Sequence, residues 1–481
     1  MSVVLARIAH YARATPDAIA LVSGDERYTY RQLWPTIDAA ADELARFFAG
    51  RHGCVAVSLD NCAANVIIDL ALICLGRVSA PLPRFFTPEQ TRHALRDSGA
   101  RWLISADGDG VTAQVGAGTV KVADTDCGDD RVALGTAKVT YTSGSTGAPK
   151  GVCLSQTQME AVASSILHTI GARFAGVHVA LLPLAVLLEN VAGLYAVMMA
   201  GGCYNAPLPE DLGLSQPFKP NFVEMGQALV GAKATSVILV PELLRGMLMA
   251  RAFGAMAWPK FEIVAVGGAK VSPDLLRAAR AAGLPVYEGY GLSECASVVA
   301  VNTPENDRVG SVGKPLPHAI VKIDYDGEII IGPRPFLGYA GGNASDGPVR
   351  TGDIGRLDDD GFLYVTGRKS NVIINSYGRN ISPEWVEGEL LAEPEIRHAI
   401  VFGEAQATLC ALIAPTLPTM TCAHLSAAIA RANARLPAYA RVERFHTIAP
   451  LSVTNGFMTA NGRPRRAALL DAYRALVEVK R

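Results

Sequence analysis

The chain has 481 residues, of which half are hydrophobic and 19% are charged, and its formal net charge is −1. This composition excludes disordered and fibrous proteins, and the length predicts two or three domains. A nearly neutral chain gives no electrostatic indication of a nucleic-acid partner.

The first 105 residues predict a hairpin over 18–30 and then alternating helices and strands. The helices are expected at 31–49, 64–74 and 88–98, and the strands at 55–59, 78–82 and 102–105. Such alternation predicts a parallel sheet covered by helices. Residues 107–130 are rich in Gly and Asp, and we expect a surface connection there.

Residues 142–151 read Thr-Ser-Gly-Ser-Thr-Gly-Ala-Pro-Lys-Gly and follow an apolar run that indicates a strand. Glycines let successive backbone N–H groups converge on an anion, and hydroxyls add further donors. The pattern predicts a phosphate cradle formed by Thr142, Ser143, Gly144, Ser145, Thr146, Gly147 and Lys150. It lacks the Gly-Lys-[Ser/Thr] ending of the Walker loop, and a flexible linker would not end in Pro-Lys-Gly-Val.

A second alternation follows the cradle. Strands are predicted at 236–240, 263–266 and 286–288, and helices at 241–251 and 273–282. From about residue 309 to residue 364 the pattern changes to short β segments broken by Gly, Pro and Asp. Two successive α/β units and a β segment indicate one large N-terminal domain.

The nine cysteines are scattered without any Cys-x-x-Cys pair, which favours reduced thiols in a cytoplasmic protein over a zinc site. The N-terminus lacks the charged-then-apolar pattern of a signal peptide. The apolar stretch over residues 179–202 contains Pro183, Glu189 and Asn190, which are costly in lipid. We therefore expect buried helix and strand there rather than a transmembrane segment.

Three further motifs follow the cradle in chain order. They are Tyr287-Glu288-Gly289-Tyr290-Gly291-Leu292-Ser293-Glu294, then Arg350-Thr351-Gly352-Asp353, then Gly367-Arg368-Lys369-Ser370 leading to Gly378-Arg379-Asn380-Ile381-Ser382-Pro383. With the cradle, they resemble the adenylate-forming (AMP-binding) superfamily, in its acyl- and aryl-CoA synthetase or acyl-carrier-protein ligase branch. The resemblance covers most of the chain.

The resemblance implies an α/β fold. A large N-terminal domain of α/β layers with a β subdomain would span residues 1–367, and a small mobile α+β lid would span residues 371–481. The hinge between them would be residues 368–370. The family's pivot carries Asp or Lys, whereas this chain has Ser370.

The resemblance also implies roles for individual residues. Tyr290 would pack on adenine, and Gly291 and Ser293 would contact the nucleotide. Asp353 would accept hydrogen bonds from the ribose diol, and Arg368 would contact ribose or phosphate. The cofactors would be ATP and Mg²⁺, with Glu294 and Thr146 as metal ligands. Carboxylate and phosphate oxygens are the ligands that a hard cation prefers.

Two departures from the family pattern bear on function. Val186 replaces a histidine that lines the acid pocket of fatty acyl-CoA synthetases, and Asn190 replaces an arginine in the same stretch. Arg463 stands at the place of the family's C-terminal catalytic lysine, and arginine is not a geometric equivalent of lysine. The changes at Val186 and Asn190 disfavour a long-chain fatty acid as the substrate and favour a smaller or aromatic acid.

These residues predict an ATP-dependent ligase that adenylates a fatty or aromatic acid and transfers the acyl group to CoA or an acyl carrier protein. Lys150, Glu294 and Arg463 would be its catalytic residues. The ten Lys and Arg against three Asp and Glu from residue 431 onward could dock such an acidic acceptor. The alternatives are a phosphate-loop kinase, which would release ADP, and a non-catalytic protein that binds ATP or an acyl-adenylate.

Overall fold

The structure is a computed structural model that describes residues 2–125, 127–128, 131–142, 149–174, 176–215, 220–333, 335–459 and 462–478. Its α-helices, in chain order, are α1 (Val3–Ala14), α2 (Tyr30–Phe48), α3 (Ala63–Cys74), α4 (Pro88–Ser98), α5 (Gln156–Ile170), α6 (Ala196–Ala200), α7 (Phe222–Gly231), α8 (Pro241–Ala252), α9 (Pro273–Ala281), α10 (Pro383–Leu391), α11 (Cys422–Ala434) and α12 (Arg466–Val477).

The strands up to residue 301 are β1 (Ile19–Ser23), β2 (Glu26–Thr29), β3 (Cys54–Ser58), β4 (Ser79–Pro81), β5 (Ala100–Ser105), β6 (Val111–Val115), β7 (Gly118–Asp124), β8 (Lys138–Thr142), β9 (Lys150–Leu154), β10 (Val177–Val179), β11 (Cys203–Asn205), β12 (Ser236–Leu239), β13 (Ile263–Val266), β14 (Val286–Leu292) and β15 (Ser297–Val301).

The remaining strands are β16 (Lys314–Pro315), β17 (Ile320–Ile323), β18 (Glu328–Gly332), β19 (Gly338–Tyr339), β20 (Val349–Leu357), β21 (Leu363–Arg368), β22 (Ile373–Ile374), β23 (Asn380–Ile381), β24 (Ile396–Phe402), β25 (Leu409–Pro415) and β26 (Val442–Thr447).

An eight-stranded sheet carries the cradle sequence. Its strand order is β19-β9-β8-β4-β3-β5-β7-β6, and the central strands β8, β4, β3 and β5 are parallel. Their apolar residues are buried on both faces because helices cover the sheet. The alternation predicted for residues 55–105 is therefore confirmed.

A nine-stranded sheet forms the second layer, in the order β16-β15-β14-β13-β12-β10-β11-β1-β2. Strands β12, β13 and β14 pair in parallel, as the second alternation predicts. The carboxyl ends of parallel strands form the edge where α/β sheets bind ligands. The motif that begins at Tyr287 extends along β14 to this edge.

Three smaller sheets complete the fold, and one of them is the two-stranded sheet β22-β23. The β segments after residue 309 form the four-stranded sheet β17-β18-β20-β21, and the C-terminal part has the sheet β24-β25-β26 packed on α10 and α11 around its own hydrophobic core. This is the predicted mixed α/β fold, with a large N-terminal domain and a smaller C-terminal one.

The expected surface connection over residues 107–130 is wrong for most of its length. Strands β6 and β7 form an antiparallel hairpin there and extend the eight-stranded sheet. The buried side chains are Ala113, Val115, Val120 and Val122. They follow the two-residue period of a strand, which the surrounding Gly and Asp residues obscure. The hairpin forms because this alternating face packs on α2 and α3.

The apolar stretch over residues 179–202 is buried, as expected. A π-helical segment over Glu189–Tyr195 leads into α6, and all of its residues are buried. Among the helices of the described residues, none is long and apolar enough to cross a bilayer.

Two buried polar networks surround this π-helical segment. Lys138 donates from Nζ to Asp69, to Asn190 Oδ1 at 2.7 Å and to the Tyr195 hydroxyl at 3.0 Å. The Tyr195 hydroxyl in turn donates to Asp69 Oδ2 at 2.8 Å. This group of four residues, the Lys138 network, is at most 7% exposed.

The second network lies on the other side of the segment. His178 lies 3.0 Å through Nε2 from Glu189 Oε1 and 2.9 Å through Nδ1 from the Ser236 hydroxyl. The Tyr204 hydroxyl donates to the same Glu189 oxygen at 3.1 Å. Each of these four side chains has a hydrogen-bond partner, as buried polar groups require, but the second carboxylate oxygen, Glu189 Oε2, is buried without a partner among the described residues.

Candidate active site

The ends of the cradle sequence are paired. Strands β8 and β9 are antiparallel, with Thr142 opposite Lys150, so the chain leaves and re-enters the sheet at one point. The backbone oxygen of Pro149 lies 2.8 Å from His93 Nε2 on α4. The predicted ligands Ser143, Gly144, Ser145, Thr146 and Gly147 lie outside the described residues.

Lys150 and Glu294 are brought together although they are far apart in the sequence. Lys150 Nζ lies 5.8 Å from the centre of the Tyr339 ring, and the Tyr339 hydroxyl donates to Glu294 Oε1 at 2.9 Å. A cation, a phenol and a carboxylate therefore converge beside the exit of the cradle. Phosphate oxygens and a divalent cation are the chemical partners that suit such a set.

Asp353 and Arg368 are cross-strand neighbours on β20 and β21. Arg368 Nε lies 2.8 Å from Asp353 Oδ1, and the Tyr290 hydroxyl donates to Asp353 Oδ2 at 2.7 Å. Burial raises the pKa of Asp353, and the Arg368 charge opposes that rise. Each carboxylate oxygen has one partner and retains capacity for a second hydrogen bond, so both are chemically suited to a ribose diol.

Gly291 lies near the end of β14, the strand that carries Tyr290, and Ser293 directly follows that strand. A β-carbon at Gly291 would collide with the carbonyl oxygen of Ser297 across an irregularity in the pairing of β14 and β15. Glycine at this position thus has a packing reason in addition to the contact with nucleotide that the resemblance implies. Ser293 begins a 3₁₀ turn that ends at Cys295 and places Glu294 toward Tyr339.

Arg463 comes from the C-terminal part of the chain and reaches the N-terminal part. Its Nη2 donates to the carbonyl oxygen of Gly268 at 3.5 Å, across 195 positions of sequence. Desolvation lowers the pKa of Arg463, and Arg368 lowers it further, while Asp353 and Glu294 oppose the shift. Arg463 therefore shares one electrostatic environment with the predicted nucleotide ligands.

Two residues of the stretch that resembles the family's acid-pocket segment are buried. Glu189 and Asn190 are at most 1% exposed and belong to the two buried networks. Asn190 completes the Lys138 network, where its amide oxygen accepts from the lysine. Val186, in the turn before the π-helical segment, is partly exposed.

The basic C-terminal segment is largely paired within the protein. Arg466 donates to Glu387 and, at 2.8 Å, to the Val401 carbonyl oxygen. Arg431 and Arg435 form ion pairs with glutamates of the same domain. By contrast, Arg465 is exposed and has a single long hydrogen bond, 3.4 Å to the Gly456 carbonyl. The pattern supports a structural role for most of these charges.

The predicted hinge includes the last residue of β21, Arg368, and the two residues that follow it. Ser370 is the middle residue of a 3₁₀ turn over Lys369–Asn371. Lys369 Nζ lies 2.6 Å from Asp326 Oδ2 and 3.0 Å from Glu328 Oε2, which attaches the residue before Ser370 to the β subdomain. The pivot role of Ser370 stays a prediction.

Tyr339 is the member of this site that the sequence does not indicate. It lies in a glycine-rich stretch without a recognisable motif, 45 positions after Glu294. Only the pairing of β19 with β9 brings it to the cradle.

Comparison with known proteins shows the family of this chain. A family model described as AMP-binding enzyme matches residues 8–334, and one described as AMP-binding enzyme C-terminal domain matches residues 370–479. A 2-succinylbenzoate–CoA ligase of Geobacillus kaustophilus (strain HTA426) is 33% identical over 427 residues, which cover 81% of this chain and 82% of that protein. The long-chain-fatty-acid–CoA ligase FadD15 of Mycobacterium tuberculosis (strain ATCC 25618 / H37Rv) is 29% identical, with 72% of this chain and 70% of that protein covered.

Solved structures share the fold. The O-succinylbenzoate coenzyme A synthetase MenE of Bacillus subtilis, in complex with ATP and magnesium, superposes with a TM-score of 0.77 at 24% identity, covering 96% of this chain and 98% of that one. The anthranilate CoA ligase AuaEII, in complex with anthranoyl-AMP, gives 0.81 at 19% identity, with 99% and 98% covered. With both family models matched in chain order, this chain belongs to the AMP-binding enzymes and is an acid–thiol ligase of that family.

Proposed function

We propose that the site activates a carboxylic acid with MgATP in two half-reactions. In the first, a carboxylate oxygen attacks the α-phosphorus of ATP, the bond to the β-phosphate oxygen breaks, and pyrophosphate leaves. Lys150 and Arg463 would stabilise the negative charge that develops on the phosphate oxygens. The observation that carries this proposal is the position of Arg463. Its guanidinium donates to the Gly268 carbonyl and interacts electrostatically with Asp353 and Glu294.

In the second half-reaction, the sulfur of a pantetheine thiolate attacks the acyl carbonyl carbon and AMP leaves. Activation is needed because a carboxylate is a poor electrophile, whereas AMP is a good leaving group. Mg²⁺, held by Glu294 and phosphate oxygens, would supply charge neutralisation. The chain's own residues hold the nucleotide: Asp353 and Arg368 at the ribose, and Tyr290 at the base.

For the acid, we propose an aromatic or small carboxylic acid rather than a long-chain fatty acid. The absence of the family's pocket histidine at Val186 supports this choice. The relative with 33% identity is named for 2-succinylbenzoate, an aromatic acid, which makes that compound the first to test.

For the acceptor, we favour CoA over an acyl carrier protein. In the basic segment that could dock an acidic protein, Arg431, Arg435 and Arg466 already form ion pairs with glutamates of this chain. The charges that stay unpaired in the described part of this segment are a weak electrostatic basis for a protein partner. We place the reaction in the cytoplasm, where ATP and CoA are available.

The experiment is acid-dependent pyrophosphate release from MgATP, with a panel of aromatic and fatty acids and hydroxylamine as the trap in place of a thiol. A signal with one acid class identifies the substrate class, and CoA or a holo carrier protein then replaces hydroxylamine to identify the acceptor. Release of ADP would indicate a kinase instead. ATP binding without pyrophosphate release, unchanged in Arg463→Lys, would support the non-catalytic alternative.

A further inference from the structure

We propose that Tyr339 is a positioning residue that orients the Glu294 carboxylate for the divalent cation carried by the nucleotide. The proposal rests on the proposed function and adds to it a residue that no motif indicates. Its geometric basis is the 2.9 Å hydrogen bond from the Tyr339 hydroxyl to Glu294 Oε1. With that oxygen engaged, the carboxylate has one defined orientation and presents Oε2 to a cation.

The backbone holds Tyr339 firmly in place. Strand β19 pairs with β9 through Gly338 opposite Cys153 and Tyr339 opposite Val152, two residues after Lys150. Gly338 has φ +127°, and a β-carbon there would lie 2.6 Å from the Asn343 carbonyl oxygen, so the turn requires glycine. The Phe336 ring packs edge-on against Tyr339, with the ring centres 5.3 Å apart.

The direction of the hydrogen bond follows from the two groups. An ionised carboxylate can only accept, and the phenol carries the proton, so the Tyr339 hydroxyl donates to Glu294 Oε1. A donor beside Oε1 leaves the second oxygen free for a hard cation, which prefers carboxylate and phosphate oxygens. Partners of this kind, which hold a metal ligand in place, commonly affect metal affinity by about 10- to 100-fold.

The ring and the hydroxyl of Tyr339 contact different groups. The ring face is 5.8 Å from Lys150 Nζ, whereas only the hydroxyl contacts Glu294. Tyr339→Phe therefore removes the contact with the carboxylate and keeps the ring beside the lysine. Tyr339→Leu removes both contacts, and the comparison separates the two effects.

The test is metal binding in Tyr339→Phe, measured without turnover. Binding of Mn²⁺ to the enzyme–ATP complex, followed by electron paramagnetic resonance, should weaken about 10-fold. Affinity for metal-free ATP and KM for the acid should stay unchanged, because neither involves the carboxylate. Tyr325→Phe is the matched control, since Tyr325 is 96% exposed and remote from the site's hydrogen bonds.

A double-mutant cycle with Glu294→Gln shows whether the tyrosine acts through the carboxylate. We expect Tyr339→Phe to have no further effect on Mn²⁺ binding once Glu294 is replaced. Equal Mn²⁺ affinity in wild type and Tyr339→Phe would overturn the inference. The readout is binding, so this test does not depend on turnover. If wild type shows no acid-dependent pyrophosphate release, the proposed function is wrong, but Mn²⁺ binding still decides the role of Tyr339.

Discussion

Two lysines on adjacent strands of one sheet have opposite environments. Lys138 begins β8 and is 2% exposed, with its ammonium surrounded by Asp69, Asn190 and Tyr195. Lys150 begins β9 and is exposed, with the face of an aromatic ring as its described contact. The first lysine has every donor engaged within the protein, whereas the ammonium of the second has no hydrogen bond to any of the described residues.

We propose that the difference separates charges that stabilise the fold from charges that bind a ligand. A buried ion must be fully paired, since an unpaired one costs several kcal/mol. A ligand-binding ion keeps part of its capacity for the ligand. The same contrast appears between Arg466, which is paired with Glu387, and Arg463, which extends toward Gly268 and the site. The predictions below test this contrast, beginning with the largest expected effect.

Lys138→Met should destabilise the protein by about 3–5 kcal/mol, because it leaves Asp69 buried without its cation. Lys150→Met is the matched control: it should change stability by less than about 0.5 kcal/mol while impairing pyrophosphate release. Thermal and urea unfolding of both variants provide the measurement. Equal stability of the two variants would contradict the distinction drawn between the lysines.

Arg463→Met should slow acid-dependent pyrophosphate release about 100-fold, with the melting temperature unchanged. The expected size is that of losing one preorganised group that stabilises developing charge. Arg465→Met, two residues along and exposed, is the control and should keep the wild-type rate. If both variants kept that rate, the placement of Arg463 in the catalytic machinery would be wrong.

Arg466→Met should destabilise the C-terminal domain by about 2 kcal/mol, because Glu387 is buried and loses a charged hydrogen bond. Proteolysis or hydrogen exchange of α10 and α12 would report the loss locally. The same change at Arg465 should have no measurable effect on stability. A rise in acceptor KM in Arg465→Met alone would revive docking of an acidic partner at this surface.

The effect that is smallest per unit of its variable is the pH dependence of stability. Burial raises the pKa of Glu288 to about 8, from an ordinary value of 4.5. Between these values the folded state keeps a proton that the unfolded chain has released, so stability falls as pH rises through this window. The slope is at most about 1.4 kcal/mol per pH unit.

Glu288→Gln stays neutral at every pH and should lack this contribution. The difference between its unfolding midpoint and that of wild type should therefore change steadily from about pH 5 to about pH 8 and become constant above. A difference that is independent of pH would show that Glu288 is ionised in the folded protein.

Much of the fold could be predicted because its patterns are local. The helix over 88–98 begins with Pro88 after a capping Thr87 and ends at Gly99, and each of these signals lies in the sequence itself. The hairpin β6–β7 was missed because its alternation is short and lies among Gly and Asp residues. What fixes it is burial against α2 and α3, which is a tertiary effect.

The candidate site also contains residues that local motifs indicate and residues that only tertiary contacts reveal. The motifs point to Lys150, Glu294, Asp353, Arg368 and Arg463. Of these, the structure brings Lys150 and Glu294 to the two sides of Tyr339 and pairs Asp353 with Arg368. The sequence could not show that Asn190 turns inward to Lys138, because the direction of a side chain on a π-helical segment depends on its neighbours. It could not indicate Tyr339 either, since that contact depends on the register of β19 against β9.

The free thiols Cys74 and Cys422 have a practical consequence for following the C-terminal domain in motion. Both are exposed, one at the end of α3 in the N-terminal domain and one at the start of α11 in the C-terminal domain. Desolvation and the nearby Asp38 and Asp42 raise the pKa of Cys74, so it should react with a label more slowly than an unperturbed thiol. Attaching one dye to each of these two cysteines in turn would allow the distance between them, across the predicted pivot, to be followed spectroscopically in the wild-type chain.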